Sequence, residues 1–190
     1  MTSLATSAVI EGFHPDPAVG PDDHGVHWLA NSSFEYSPGV PLFRSDDLIH
    51  WQQVGNVLTA DTQLPAGDAA PSRGIFAPTL RHHDGRFWLI TTDVGRPGQL
   101  VTADDPPAGW TEPVRIAGLP GIDPDLAWDD DGAGHVTYCS GDPDRPGIAQ
   151  ARTDPATGVV LEPPRALWSG TGLQYPEAPH LYRHDGCFGE

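Results

Sequence analysis

Residues 77–91 read Ala77-Pro-Thr-Leu-Arg-His-His-Asp-Gly-Arg-Phe-Trp-Leu-Ile-Thr91. A proline opens a short run, Asp84-Gly85 interrupts it, and an aromatic and aliphatic run follows. Asp-Gly between strand-like runs signals a hairpin, because both residues tolerate the positive φ of a tight turn. The same frame recurs around Pro17, Pro124 and Pro179, with turns at Asp23-His-Gly25, Asp131-Gly132 and Asp185-Gly186. From each proline to its turn Asp, in chain order, the offsets are 6, 6, 7 and 6 residues. The strand after the turn recurs as Val26–Ala30, Phe87–Thr91 and His135–Cys139, and a fourth copy starts at Cys187-Phe188. A third run ends in a polar turn at Asp46, Asp104 and Asp154, and a Trp follows that turn in two copies, Trp51 and Trp110. A fourth short strand is expected near residues 53–57, 113–116 and 165–168.

Each unit is therefore four short antiparallel strands, with proline-to-proline spacings of 61, 46 and 55 residues. Four-stranded units repeating on this scale are blades of a β-propeller. A β-sandwich also has many short strands, but it gives no reason for matching turn offsets in every unit. Pro and Gly interrupt nearly every candidate helix, so the class expected is all-β. The blades are placed at about residues 14–60, 74–118 and 121–170, with the start of a fourth at 175–190. Propellers need four to eight blades to close. The chain is therefore expected to be truncated to about three blades plus the start of a fourth; the alternative is a half-propeller that closes by oligomerising.

The chain has 190 residues, with 26 acidic against 10 basic side chains and a formal charge of −16. Every cation is Arg; there is no Lys. That balance argues against nucleic acid or an anionic membrane as a partner, since both need a positive surface. No window of about 18 apolar residues is present, so no membrane-spanning helix is expected. Met1–Ser7 has neither a basic start nor an apolar core, so no secretory signal is read and a cytoplasmic location is expected. The two cysteines, Cys139 and Cys187, match no metal spacing and read as free thiols. The nine histidines form no helical ligand pair, and Asp129–Gly132 fails the spacing of a calcium-binding loop, so no metal or cofactor is expected. Oligomeric state is not readable.

Three acids stand where a blade's first strand begins: Asp16, Asp123 and Glu177. First strands line a propeller's channel, so acids on different blades converge on one pocket. Unit two carries Phe76 there instead, which suits a pocket wall. A single Asp-Pro is ordinary turn chemistry, as at Asp105, Asp142 and Asp154. Three acids keeping step with the repeat are a different signal. Clustered carboxylates repel, so one holds its proton while another stays ionised. Glycosidic hydrolysis needs that asymmetry: an acid for the leaving oxygen and a base for water.

The chain resembles glycoside hydrolase family 43, near its β-xylosidase and α-L-arabinofuranosidase branch. The resemblance rests on Val9–Ala18, Ser32–Pro41, Asp47–Trp51, Gly74–Leu80, Gly121–Pro124 and Pro176–Tyr182. It implies a five-bladed propeller that hydrolyses xylosides or arabinosides with inversion. It assigns Asp16 as the base that activates water, Glu177 as the acid, and Asp123 as the carboxylate that tunes and orients that acid. It also implies Phe34 as an aromatic wall of the sugar site, with Phe76 standing where the family usually has Trp. His14 stands beside Asp16 and is expected among the substrate-binding residues with Phe34 and Phe76, orienting Asp16 or capping the strand. The implied partner is a xylo- or arabino-oligosaccharide. Some family members hold Ca²⁺ through a His on a later blade, which nothing in this sequence supports. With later blades absent from the chain as read, it is expected to be inactive by itself. The alternatives are a carbohydrate-binding propeller without catalysis and a non-functional fragment.

Overall fold

The computed structural model describes residues 8–64, 69–94, 96–184 and 187–189. The expected turn at Asp185-Gly186 and the segment Met1–Ser7 lie outside the described residues. Among the described residues the fold is all-β apart from one short 3-10 turn at Pro106–Ala108. Among the described residues the strands form three four-stranded sheets and one two-stranded hairpin. The first sheet is β1 (Ala18–Pro21), β2 (His27–Ala30), β3 (Gly39–Ser45) and β4 (Gln52–Leu58). The second is β5 (Thr79–His83), β6 (Arg86–Asp93), β7 (Arg96–Ala103) and β8 (Val114–Arg115). The third is β9 (Gly121–Trp128), β10 (Gly134–Ser140), β11 (Gly147–Asp154) and β12 (Val159–Trp168). The hairpin is β13 (Tyr182–His184) with β14 (Cys187–Gly189). Each sheet pairs its strands in chain order, as a meander.

Turn chemistry explains the local strand pairing. His83 pairs with Arg86 across a two-residue loop, Asp84-Gly85, whose φ values are 51° and 71°. That is the left-handed pair a tight hairpin needs. One element differs from the reading at its start: β12 begins at Val159, well before Arg165. Its pairing with β11 jumps from Arg165 to Glu162, so Pro163 and Pro164 fall in a bulge. Proline has no N–H for the ladder, and a bulge on an outer strand accommodates two of them.

Two apolar layers lie between successive sheets. The first joins Trp28, Leu42 and Leu58 to Leu80, Phe87 and Leu89. The second joins Ile90 and Leu100 to Leu126, Val136, Tyr138 and Ala149. Strand β6 supplies both layers, because its side chains alternate: Phe87 and Leu89 face one way, Trp88 and Ile90 the other. Trp28 meets Phe87 of the next sheet edge-on at 5.2 Å, and Trp88 meets Trp128 at 5.5 Å. These second-strand tryptophans pack between neighbouring sheets. The leading strands run beside one another, with β5 touching both β1 and β9. Whatever precedes β1, β5 and β9 is thereby gathered at one end of the stack.

Candidate active site

Asp16 lies two residues before β1 with φ 50°. The carbonyl of Pro15, beside it, accepts hydrogen bonds from the Ser32 N–H and the Asn31 Nδ2, each at 3.2 Å. Asn31 is wholly buried, so this anchor is fixed in the first sheet. The Ser32 hydroxyl then donates to Asp16 Oδ2. One carboxylate oxygen is thereby held while the residue stays exposed.

Asp123 lies inside β9, with φ 54°. The pairing of β9 with β10 shifts there: Ile122 opposes Cys139 and Asp125 opposes Thr137, so Asp123 and Pro124 share Tyr138. This is a β-bulge, which re-aims a side chain at the cost of a ladder bond that Pro124 could not make. The Asp123 carboxyl is pushed up to about 6. Burial is the main cause, followed by the negative charges of Glu177 and Asp16. The Ala178 N–H, which donates to it, and His180 oppose the rise.

Glu177 is exposed on the segment before β13. Aligned on the repeat prolines, the residue that matches Asp16 and Asp123 is Ala178, not Glu177. The backbone agrees: Ala178 has φ 50°, beside 50° at Asp16 and 54° at Asp123. The expectation that all three acids share one repeat position is corrected for Glu177, which stands one residue earlier. The left-handed residue after it turns its N–H to Asp123. Glu177 also reaches the neighbourhood of Cys139, whose thiol is pushed up to about 11 by burial and then by the charges of Glu177 and Asp123. Cys139, Ser140, Tyr175, Pro176 and Glu177 are among the walls of a cavity of about 290 Å³.

The aromatic residues form a row. Phe34 stands edge-on to Phe76 at 5.6 Å and lies 6.3 Å from Phe13, which is 72% exposed. Backbone pairing explains the Phe34–Phe76 contact. The N–H of Phe34 donates to the Ile75 carbonyl at 2.8 Å and Ile75 returns the bond at 3.0 Å. Gly74 permits that approach: its φ is 99°, and a Cβ there would sit 2.2 Å from the Phe34 oxygen. His14 is not joined to the carboxylates by any described contact. Its Nε2 faces the Glu11 carbonyl at 3.1 Å and its ring packs edge-on against Phe43 at 5.2 Å.

The structure thus brings Glu177 and Asp16 each within electrostatic reach of Asp123, from three separate parts of the chain. Among the described residues no group of three or more His, Cys, Asp or Glu side chains is arranged to hold a metal. Sequence reasoning missed Ser32, Phe13, Cys139 and the buried Asp125, none of which repeats from unit to unit. Phe13 had a signal, since it stands in the same Gly-Phe-His-Pro-Asp-Pro stretch as Asp16.

The family model for glycosyl hydrolases family 43 matches residues 5–188. The chain is 40% identical to a xylosidase/arabinosidase of Butyrivibrio fibrisolvens, over 97% of this chain and 38% of that protein. It is 38% identical to a non-reducing end alpha-L-arabinofuranosidase of Bacteroides ovatus, over 92% of this chain and 33% of that one. A solved xylan beta-1,4-xylosidase from Bacillus halodurans superposes with a TM-score of 0.84 at 35% identity, covering 95% of this chain and 37% of that structure. The chain spans about a third of the length of these relatives.

Proposed function

The chain belongs to glycosyl hydrolases family 43, and from that premise we propose that its carboxylates serve the hydrolysis of xylosides or arabinosides with inversion at the anomeric carbon. The observation that carries this reading is the Asp123 carboxyl, raised by burial and by the charges of both Glu177 and Asp16. Acids that act on opposite sides of one bond must come from different elements, and the charges of Glu177 and Asp16 both reaching Asp123 support that arrangement.

In the proposed step Asp16 takes a proton from water as the water oxygen attacks the anomeric carbon. The bond to the leaving oxygen breaks, and Glu177 gives that oxygen its proton. Both groups are then in the opposite protonation state and exchange with solvent resets them. Ser32 holds one Asp16 oxygen, which leaves the other for water. Inversion needs room for that water, so the Asp16 and Glu177 carboxyls are expected roughly 6.5–9.5 Å apart in the sugar complex. Asp123 orients the acid-bearing segment through the Ala178 N–H. The row of Phe13, Phe34 and Phe76 offers apolar surface to the C–H face of a pentose.

Nitrophenyl xyloside and arabinofuranoside, assayed with Asp16→Ala and Glu177→Ala in a protein carrying this chain within its relatives' full length, test the reading. Each substitution is expected to lower turnover by about 10²-fold or more, the usual weight of general acid–base catalysis. The Glu177→Ala loss should shrink on a dinitrophenyl glycoside, whose leaving group departs without a proton. Equal losses on both leaving groups would remove Glu177 as the acid. Sugar binding without hydrolysis by the chain carried in a protein of its relatives' full length would favour a carbohydrate-binding role.

A further inference from the structure

Asp125 lies on β9 two residues beyond Asp123, and its side chain is wholly buried. Both of its oxygens are used. Oδ1 accepts from the Arg81 guanidinium of β5, in the neighbouring sheet. Oδ2 accepts from the Leu181 N–H at 2.8 Å. Arg81 spreads its other contacts over the same region. Its Nε donates to the Leu126 carbonyl at 3.1 Å, and a terminal nitrogen reaches the Leu181 carbonyl at 3.3 Å. The guanidinium carbon lies 5.3 Å from the centre of the Tyr182 ring. His180 Nδ1 is 3.7 Å from Asp125 Oδ1.

Leu181 is therefore gripped at both its N–H and its C=O by one ion pair. The segment 178–181 is held at its other end by Asp123, through the Ala178 N–H. Glu177 is the next residue upstream. Two acids of one strand, Asp123 and Asp125, thus fasten the two ends of the short stretch that follows Glu177. A buried ion pair is weak evidence for stability as such, because desolvation offsets most of its attraction. Its fixed fork geometry is a better reason to place one here.

The geometry points to the Arg81–Asp125 pair as a positioning device: it sets the Ala178–Leu181 segment, and through it the Glu177 carboxyl, against Asp123. The inference rests on the reading of Glu177 as the acid, but its test does not use turnover. Neither Arg81 nor Asp125 is placed in contact with the sugar.

The test uses the full 190-residue chain. Arg81→Lys keeps both charges and removes the fork that reaches Leu126 and Leu181. Asp125→Asn removes the charge and keeps the volume. Backbone amide exchange is read residue by residue, and the Asp123 carboxyl is titrated by NMR. In Arg81→Lys the Leu181 and Ala178 amides are expected to lose about tenfold or more protection, the weight of one hydrogen bond, while β1–β4 amides keep theirs. The Asp123 midpoint is expected to move from about 6, since Glu177, which raises it, and the Ala178 N–H, which lowers it, both shift while burial, the main cause, remains. Should Asp125→Asn fail to fold, Arg81→Lys decides alone. Unchanged Leu181 protection in Arg81→Lys would overturn the inference. So would a loss spread evenly over all three sheets, which marks the pair as general support for the fold. If the clamp result holds while Glu177→Ala still hydrolyses unactivated substrates, the acid assignment fails and the clamp stands.

Discussion

Asp123 concentrates the physical chemistry of the site in one carboxyl. Its proton is held more tightly folded than unfolded, with a midpoint near 6 against 3.8. Between those values the folded state binds the extra proton, so this group's contribution to stability is full below about pH 4. It is lost as pH rises through 6. The full difference is at most about 3 kcal/mol, and solvent reaching the half-buried group reduces it. Urea unfolding of the parent and of Asp123→Asn across pH 4–7 checks this: the parent should lose stability relative to the variant as pH rises, and parallel curves would refute the raised proton affinity. Asp47 behaves in the opposite sense. The His50 N–H, the His50 ring and the Ile49 N–H hold its carboxyl well below the usual carboxylate range. An exposed turn aspartate and a half-buried bulge aspartate look alike in a sequence; what separates them is which donors and charges face them.

At the scale of the element, strand alternation does most of the work. Leu89 is fully buried in the middle strand of a sheet that packs on both faces. Leu89→Ala is expected to cost about 2–5 kcal/mol in denaturant unfolding, since the flanking sheets cannot collapse into the gap. Gly74 acts differently, by letting two backbones approach. Gly74→Ala puts a methyl group against the Phe34 carbonyl, at 2.2 Å before any shift. The outcome expected is a drop in thermal midpoint together with weaker sugar binding, because the Phe34–Phe76 contact depends on the same pairing. A variant that keeps binding unchanged would detach the aromatic row from the sugar site. The hairpins were legible because Asp84-Gly85 states its own conformation. The length of β12 was not, because Pro163-Pro164 reads as a break until a bulge absorbs it.

Over the whole molecule, the charge of −16 works against compaction, and the ion pairs that relieve it are mostly exposed. Surface pairs such as Arg44–Asp46 and Arg86–Asp104 contribute little. Raising salt from about 0.01 M to about 0.15 M shortens the screening length from about 30 Å to about 8 Å. The thermal midpoint should therefore rise. A fall would mean that local pairs outweigh the net repulsion.

Repeats, turns and the all-β class were determined by the sequence alone, because strand period and Asp-Gly turns are local properties of the chain. So was the membership of Asp16, Asp123 and Glu177 in a shared motif set, through short stretches that match a known family. The repeat prolines already align Ala178, not Glu177, with the two aspartates, and the tertiary structure gives all three the same left-handed backbone. It alone showed that Ser32 holds Asp16 and that Arg81 and Asp125 tie the segment after Glu177 across two sheets. Those contacts join residues 16, 44 and 56 positions apart along the chain. Their strength comes from burial and facing geometry, which exist only once the sheets have stacked.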